Sequence, residues 1–486
     1  MSGTAFQSSF LLVMRSIFLR AIGLVSTMCL ARLLDPADFG LVALAILIIG
    51  FLEVLASAGG EQFVLRDSDA KAETVNTAWT INIILNSTLA IAVLVIAPSV
   101  GTSYSNPDLV PILWCFGALA VLQSLESPGL WLLQRDQNVS GVVRLNLIGK
   151  LIALPIAVGS ALLGAAHWSL VLGRFTTTLI NVIGSYFLHN SRPVLTLKGV
   201  AKQYAFSGWL MLQSVFGYCR VNLDALLVSL RFSATELGFF HTMKYLAYIP
   251  SESLVAPVSA PLLTELSKLR DDPVRFALIH NVYFLGVGLL ALPLAALLML
   301  CYEPLVYLVL GSSWVEHSEL FKWFSLLIPA FFVFQHVTRV CLAFGNTQLT
   351  VLYEVFAAMV IFVPLLFIGI EQLVEFTAMR VQLELVASLG FFIFATSKFL
   401  GIKHFFRCLA AVLPVALACF VASVVVTESR PDWSITAQFF YQLMLWISIF
   451  LSVLCVLVYL IWKRQAEWAH LLETARATVR RRLLKS

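Results

Sequence analysis

Residues 34–59 read LDPADFGLVALAILIIGFLEVLASAG, an acidic, proline-containing turn followed from Phe39 by a long apolar run in which Glu53 is the only charge. An α-helix rises about 1.5 Å per residue, so some 20 such residues cover the ~30 Å hydrocarbon core of a bilayer. The same kind of block recurs along the chain. Spans are expected at 9–32, 39–59, 77–101, 110–133, 142–164, 166–188, 204–228, 240–266, 279–302, 320–343, 351–370, 376–398, 408–427 and 438–462. The composition agrees: 60% of the 486 residues are hydrophobic and 12% are charged, against roughly 45–50% and about 25% in a soluble domain. A soluble globular protein is excluded. The expected fold is an all-α polytopic membrane protein of about 14 transmembrane helices.

The formal charge of +5 matters less than its distribution between the loops. One alternate set holds Arg66, Lys71, Arg135, Arg192, Lys198, Lys202, Lys268, Arg270, Arg275, Lys398, Lys403, Arg407 and seven further Lys or Arg between Lys463 and Lys485. The other holds only Arg231 and Arg430. Positive loops stay in the cytoplasm, so both termini are expected there, as an even span count also requires. On the opposite face the longest loop runs from about Glu303 to Glu319, with no cluster of carboxylates or histidines to support catalysis. The tail 463–486 is expected to be a basic cytoplasmic segment in which Arg476, Arg480, Arg481, Arg482 and Lys485 meet anionic membrane lipids. Arg15 and Arg20 interrupt the first apolar block, so it is expected to remain as a helix rather than act as a cleavable leader.

The eight cysteines lie almost entirely in apolar blocks without Cys-x-x-Cys spacing or neighbouring histidines, which makes them small packing residues and gives no metal site. His280 and His336 are expected to be packing or interface residues. No cofactor is expected, and neither is a nucleic-acid partner. The G-x-x-x-x-G-K-[ST] phosphate loop is missing as well, which argues against ATP-driven transport by this chain alone.

A short motif is repeated. Leu34-Asp35-Pro36-Ala37-Asp38-Phe39-Gly40 follows the first span and Ser233-Ala234-Thr235-Glu236-Leu237-Gly238-Phe239 the seventh, giving acidic, apolar, Gly at an offset of 198 residues. In each the acidic residue is expected to cap the following helix and the glycine to let the backbone turn closely. Six spans separate the copies, so two lobes of one orientation are expected, related by an axis along the membrane normal. The organisation is then a first six-helix lobe over 1–203, a second over 204–407, two additional transmembrane helices over 408–462 and the tail.

Charges inside the spans are the functional signal. Arg15, Arg20, Lys150, Arg174 and Arg220 lie well within apolar blocks. At about 2.5–3.5 kcal/mol each near a helix centre, the five would cost roughly 12–18 kcal/mol, comparable to the whole stability of a typical domain. They must be paired or face a wet cavity. Carboxylates within spans are Glu53, Glu126, Asp224, Glu252 and Glu384; Arg220 with Asp224 and Arg380 with Glu384 have i,i+4 spacing. Such pairing leaves Arg15, Arg20, Lys150 and Arg174 gathered in the first lobe, where they point to an anionic substrate because arginine presents a planar fork of donors to phosphate and lysine a point charge. Structural pairing with Glu53 or Glu126, or snorkelling to the interface for Arg15, Arg144 and Arg339, is the alternative. Asp224 and Glu252 are candidates for ion coupling, and a plain ion pair with Arg220 is the competing role for Asp224. Prolines at Pro128, within Glu126-Ser127-Pro128-Gly129, and at Pro250, Pro257 and Pro261 of the eighth span are expected to kink helices beside the cavity; Pro128, Pro250 and Pro257 are the candidate hinges.

The run Ala31-Arg32-Leu33-Leu34-Asp35-Pro36-Ala37-Asp38-Phe39-Gly40-Leu41-Val42-Ala43-Leu44-Ala45, with Gly59-Gly60-Glu61-Gln62-Phe63-Val64-Leu65 after it, resembles the polysaccharide transporter family, the Wzx-type lipid-linked oligosaccharide flippases. Span number, cytoplasmic termini and duplicated lobes suit that family over essentially the whole chain. The resemblance implies membership of a superfamily shared with multidrug and toxin extruders and lipid II flippases, and two bundles around a V-shaped, cationic cavity. Arg15, Arg20, Lys150 and Arg174 are the candidates for its cations. The implied function is to carry undecaprenyl-diphosphate-linked sugar units across a bacterial inner membrane for exopolysaccharide, capsule or O-antigen synthesis. Alternating access, coupling to protons or sodium ions, and partnership with polymerase and export machinery belong to the same implication. No bond changes, so an enzyme is not expected. The rival within the superfamily is a cation-coupled multidrug antiporter, which should show acidic residues dominating the first-lobe cavity; a membrane glycosyltransferase would need carboxylates or a catalytic loop outside the membrane.

Overall fold

The computed structural model describes residues 20–56, 64, 72–136, 138, 140–198, 200–256, 261–429, 433–461 and 468–469. These are helical with no strand among them, and they fall into two compact units, one over residues 18–242 and the other chiefly over 243–486. The expected division into repeated lobes at 203/204 is a statement about sequence duplication, and the compact units divide instead near residue 242, because the helix at 200–231 packs on the first unit.

The first unit contains α1 (Arg20–Ala31), α2 (Pro36–Ala56), α3 (Ala72–Ser103), α4 (Leu109–Ser124), α5 (Gly129–Arg135), α6 (Ser140–Leu162), α7 (Trp168–Leu188), α8 (Val200–Arg231) and the start of α9 (Ala234–Pro250). Antiparallel pairs α3/α4 and α6/α7 pack along their lengths, α4 joins them through α7, and α2 lies against α4 and α8. Small residues let α6 and α7 approach: a side chain at Gly173 would stand 3.1 Å from the Ala157 methyl.

The second unit continues from α9 into a π-helical turn (Ser251–Val255), then α10 (Pro261–Lys268), α11 (Pro273–Leu300), α12 (Tyr302–Leu310), α13 (Ser318–Ser325), α14 (Leu327–Ala343), α15 (Thr347–Phe367), α16 (Leu373–Phe399), α17 (Ile402–Glu428) and α18 (Ile435–Ile461). Its interior is aromatic. Phe284 stacks on Phe392 with ring centroids 4.6 Å apart, and His336 and His280 sit edge to face beside them, both buried as packing residues. The two helices beyond the duplicated region, α17 and α18, belong to this unit: α17 packs along α11, and Trp446 of α18 donates its indole N–H to Ser423 Oγ at 3.1 Å.

Among the described residues nine helices are long and apolar enough to cross a membrane, and α4 with α5 makes a tenth as a bent pair. Helices α1, α7, α8 and α9 are shorter or more polar. All four belong to or begin in the first unit, which also holds Lys150, Arg174 and Arg220.

Two features differ from the expectation. The segment Glu303–Glu319 is folded rather than a loop: α12 ends at Gly311, whose φ of 106° reverses the chain, and a 3₁₀ turn (Ser312–His317) buries Trp314 completely. The repeated glycines do not sit in turns. Both lie inside the first turns of α2 and α9, because helices begin at Pro36 and Ala234 and the acidic residue acts from the third position. Asp38 accepts the Asp35 backbone N–H at 3.2 Å, and Glu236 accepts the Ser233 N–H at 2.9 Å while Ser233 Oγ accepts the Glu236 N–H at 3.2 Å.

The kink expected at Pro128 is a break of 64° between α4 and α5. Proline removes an N–H, and the turn at Leu125–Pro128 leaves backbone groups that lipid cannot satisfy. Neighbouring side chains do so. Tyr186 donates its hydroxyl to the Leu125 carbonyl at 2.8 Å, Trp79 donates its indole N–H to the Glu126 carbonyl at 2.9 Å, and the Ser127 N–H donates to Ser185 Oγ at 2.9 Å. At Pro250 the chain relaxes differently, into the π-helical turn. Pro257 and Arg15 lie outside the described residues.

The i,i+4 pair in the second unit forms as its spacing requires: Arg380 Nη1 lies 3.2 Å from Glu384 Oε2, with both side chains buried. Removing one partner strands a buried charge at a cost of about 3–5 kcal/mol, whereas an apolar pair of similar volume is close to neutral. Glu384→Ala is therefore expected to lower the thermal midpoint of the detergent-solubilised protein markedly, and Arg380→Met with Glu384→Leu to restore most of it. Trp79→Phe and Tyr186→Phe each strand one carbonyl of the break and should cost about 1–3 kcal/mol by the same measurement.

Candidate substrate site

The first unit encloses a cavity of about 430 Å³ between α1, α6, α7 and the broken α4/α5 turn. Its wall repeats at helical spacing. Helix α7 contributes Gly173, Arg174, Thr177, Thr178 and Asn181; α6 contributes Lys150, Ala153, Leu154 and Ala157; α1 contributes Ser26, Thr27 and Leu30. Gln123 and Glu126 enter from the break and Phe39 from α2.

Arg174 is the most exposed of these charges. Its guanidinium stands over the Phe116 ring at 5.5 Å from the centroid, and it makes no hydrogen bond or ion pair with the described residues. Glu53 on α2 is close enough to feel its charge. The N-terminal end of α7 that carries Arg174 is pinned by the first repeat motif: Asp38 Oδ1 accepts the His167 backbone N–H at 3.1 Å and lies 3.4 Å from the His167 ring nitrogen. Towards the other end, Asn181 donates to Asn146 Oδ1 at 2.9 Å and ties α7 to α6.

Lys150, half-buried, projects from α6 into the same space, and Arg20 at the start of α1 lies within Coulombic range of it without lining the wall. The charged lining is thus two cations against the single carboxylate of Glu126. Because α7 carries polar residues on this face, it falls below the apolarity of the long spans.

The other candidates lie elsewhere. Arg220 and Asp224 sit one turn apart on α8, away from the cavity wall; Asp224 is fully buried with Oδ1 accepting the Ala225 N–H at 2.7 Å. Glu252 is exposed on the π-helical turn in the second unit. The structure therefore brings Lys150 and Arg174 to one cavity with Arg20 beside it, and adds Gln123, Thr27, Thr177 and Asn181, which reasoning from charge passed over. The signal for two of these, Thr177 and Asn181, was the spacing 174, 177/178, 181 on one face of α7.

Residues 29–319 match the family described as polysaccharide biosynthesis protein. The chain is 22% identical over 303 residues to the lipopolysaccharide biosynthesis protein WzxC of Escherichia coli (strain K12), covering 62% of each chain. It is 24% identical over 292 residues to the succinoglycan biosynthesis transport protein ExoT of Rhizobium meliloti (strain 1021), covering 60% of this chain and 59% of that one. The matches thus span about 60% of the length of these relatives. Its fold is that of the lipid II flippase MurJ in an inward closed conformation: the superposition has a TM-score of 0.76 at 14% identity and covers 93% of this chain and 99% of the other. With more than half of its length matched and a fold shared with a flippase, the chain is a multi-pass membrane protein belonging to the polysaccharide biosynthesis protein family.

Proposed function

We propose that the protein moves polyprenyl-diphosphate-linked oligosaccharide units across the bacterial inner membrane by alternating access. The observation that carries this reading is a cavity among the helices of the first unit into which Arg174 and Lys150 project, with Arg174 making no ion pair among the described residues. A cation kept in an apolar helix at a cost of about 2.5–3.5 kcal/mol is consistent with a site whose anionic partner arrives as substrate.

In this reading the guanidinium of Arg174 forks onto the diphosphate and Lys150 adds a point charge, while Arg20 raises the local positive potential. Gln123, Thr27 and Thr177 meet the hydroxyls of the adjacent sugar. A cavity of about 430 Å³ accommodates the diphosphate and its first sugar; the polyprenyl tail stays in lipid and the remaining sugars extend outward. The names of WzxC and ExoT, which concern lipopolysaccharide and succinoglycan, support the substrate class. The wall charges weigh against a multidrug antiporter, whose cavity would be dominated by carboxylates. Coupling to protons or sodium ions is part of the reading, with Asp224 and Glu252 as candidates, as are cytoplasmic termini and hinges at Pro128, Pro250 and Pro257.

A charge-assisted hydrogen bond is worth about 1.5–3 kcal/mol, equivalent to roughly 10- to 150-fold. Arg174→Ala at normal membrane abundance is therefore expected to reduce transfer of lipid-linked sugar by about that factor, measured as accumulation of the unit on the cytoplasmic face, with Arg174→Lys retaining part of the activity. Undiminished transfer by Arg174→Ala would remove the residue from the substrate site.

A further inference from the structure

The broken turn at Leu125–Pro128 and the cavity cation Arg174 belong to one pair of packed helices, and a single register connects them. Ser127 and Ser185, joined by a hydrogen bond at the break, are 58 residues apart in sequence, and so are Phe116 and Arg174. Helices α4 and α7 therefore run side by side in the same direction and in constant register. Fixing them at the break also fixes them eleven residues earlier, about 16 Å along α7. The break is held firmly. Tyr186 of α7 donates to the Leu125 carbonyl at 2.8 Å, and a side-chain carbon on Gly129 would stand only 2.6 Å from the His189 Cβ.

Phe116 belongs to the buried stripe Ile112, Leu113, Phe116, Leu119 and Ala120 of α4 and is 2% exposed, so its ring is a fixed surface. Gln123, two turns further along the same face, lines the cavity. The guanidinium of Arg174 stands over the Phe116 ring at 5.5 Å from the centroid. It is the flexible partner, a long side chain ending in five N–H donors. An aromatic face attracts the cation through its quadrupole and takes up none of these donors in a conventional hydrogen bond, whereas a carboxylate engages two of them. Glu53 lies within Coulombic range of Arg174, yet among the described residues no ion pair joins the two.

We propose that Phe116 is a positioning residue of the substrate site: its ring holds the Arg174 guanidinium at the cavity wall and leaves the N–H donors to an incoming diphosphate. The proposal rests on the reading of this cavity as a lipid-linked diphosphate site and adds how its cation is kept ready. An ordered guanidinium binds without the entropy cost of immobilising a long side chain, so the ring contributes to affinity without touching the anion. The hydrogen bonds at the break gain a second consequence, because the register they set decides where the ring meets the cation.

The experiment uses the purified full chain in detergent and measures binding of farnesyl diphosphate, a short-chain polyprenyl diphosphate, with farnesol as the probe that lacks the anion. Phe116→Leu is expected to weaken farnesyl diphosphate about fivefold, to leave farnesol unchanged, and to have no further effect where Arg174→Ala is already present. Phe116→Tyr, which keeps the ring, retains the original affinity. If Phe116→Leu does not accumulate, Ser185→Ala, which loosens the register at the break, is expected to weaken the diphosphate by a smaller factor that again requires Arg174. Unchanged binding in the accumulating variant overturns the positioning role and leaves the substrate reading intact. So does a loss that persists without Arg174, extends to farnesol or is matched by Phe116→Tyr. Farnesyl diphosphate that fails to bind the unmodified chain, or binds Arg174→Ala as tightly, overturns the substrate reading and the positioning role with it.

Discussion

A charge or an unbonded backbone group inside hydrocarbon must find a partner or water, and the architecture of both units follows from how that demand is met. The second unit meets it internally: Arg380 and Glu384 pair along one helix in a closed interior, and His280 and His336 are packed among phenylalanines. The first unit meets it in two ways. Where α4 breaks, Trp79, Tyr186 and Ser185 supply the hydrogen bonds that the backbone loses. Lys150 and Arg174 line the cavity, and the Arg174 guanidinium stands over the Phe116 ring.

The two units thus differ in how their buried charges are accommodated. A paired, dry interior resists change, since opening it would expose buried charge. In the proposed function the first-unit cavity exchanges water for an anion, which meets the two lining cations. The polar residues Arg174, Thr177, Thr178 and Asn181 of α7 line that cavity. The break in α4 brings Glu126 and Gln123 to the cavity while its own backbone remains satisfied, so the irregularity serves the site without weakening the bundle.

The outlines were legible in the sequence because hydrocarbon imposes strong rules. Apolar blocks marked the helices, Arg174 and Lys150 stood out as charges within them, and Glu126-Ser127-Pro128-Gly129 marked the break. What was not legible depended on faces and on distant partners. Thr27, Gln123 and Asn181 are ordinary residues for a membrane helix, and only the packing of α1, α6 and α7 turns them towards one space. Asp224 and Glu252 were conspicuous for their charge, yet Asp224 lies buried beyond the cavity wall and Glu252 stands on a turn of the other unit. The repeated glycines were visible as a pattern but not in their role. A glycine two residues after an acidic residue between two spans reads as a turn residue, and the capping by Asp38 and Glu236 that starts each helix earlier becomes evident only in three dimensions. The segment 303–319 read as a loop because its polar residues are spaced through it, and the burial of Trp314 is what folds it.

The central claim is that the first-unit cavity takes a lipid-linked diphosphate sugar and delivers it to the opposite leaflet. The most direct test reconstitutes the purified protein in liposomes with polyprenyl-diphosphate-linked sugars placed in one leaflet. It then follows their accessibility to a membrane-impermeant sugar-modifying enzyme on the other side, with and without a proton or sodium gradient. The account predicts protein-dependent appearance of the lipid-linked sugar on the far side, with the gradient that accelerates it identifying the coupling ion. No movement of any such lipid, together with gradient-driven efflux of a soluble organic cation, would contradict it.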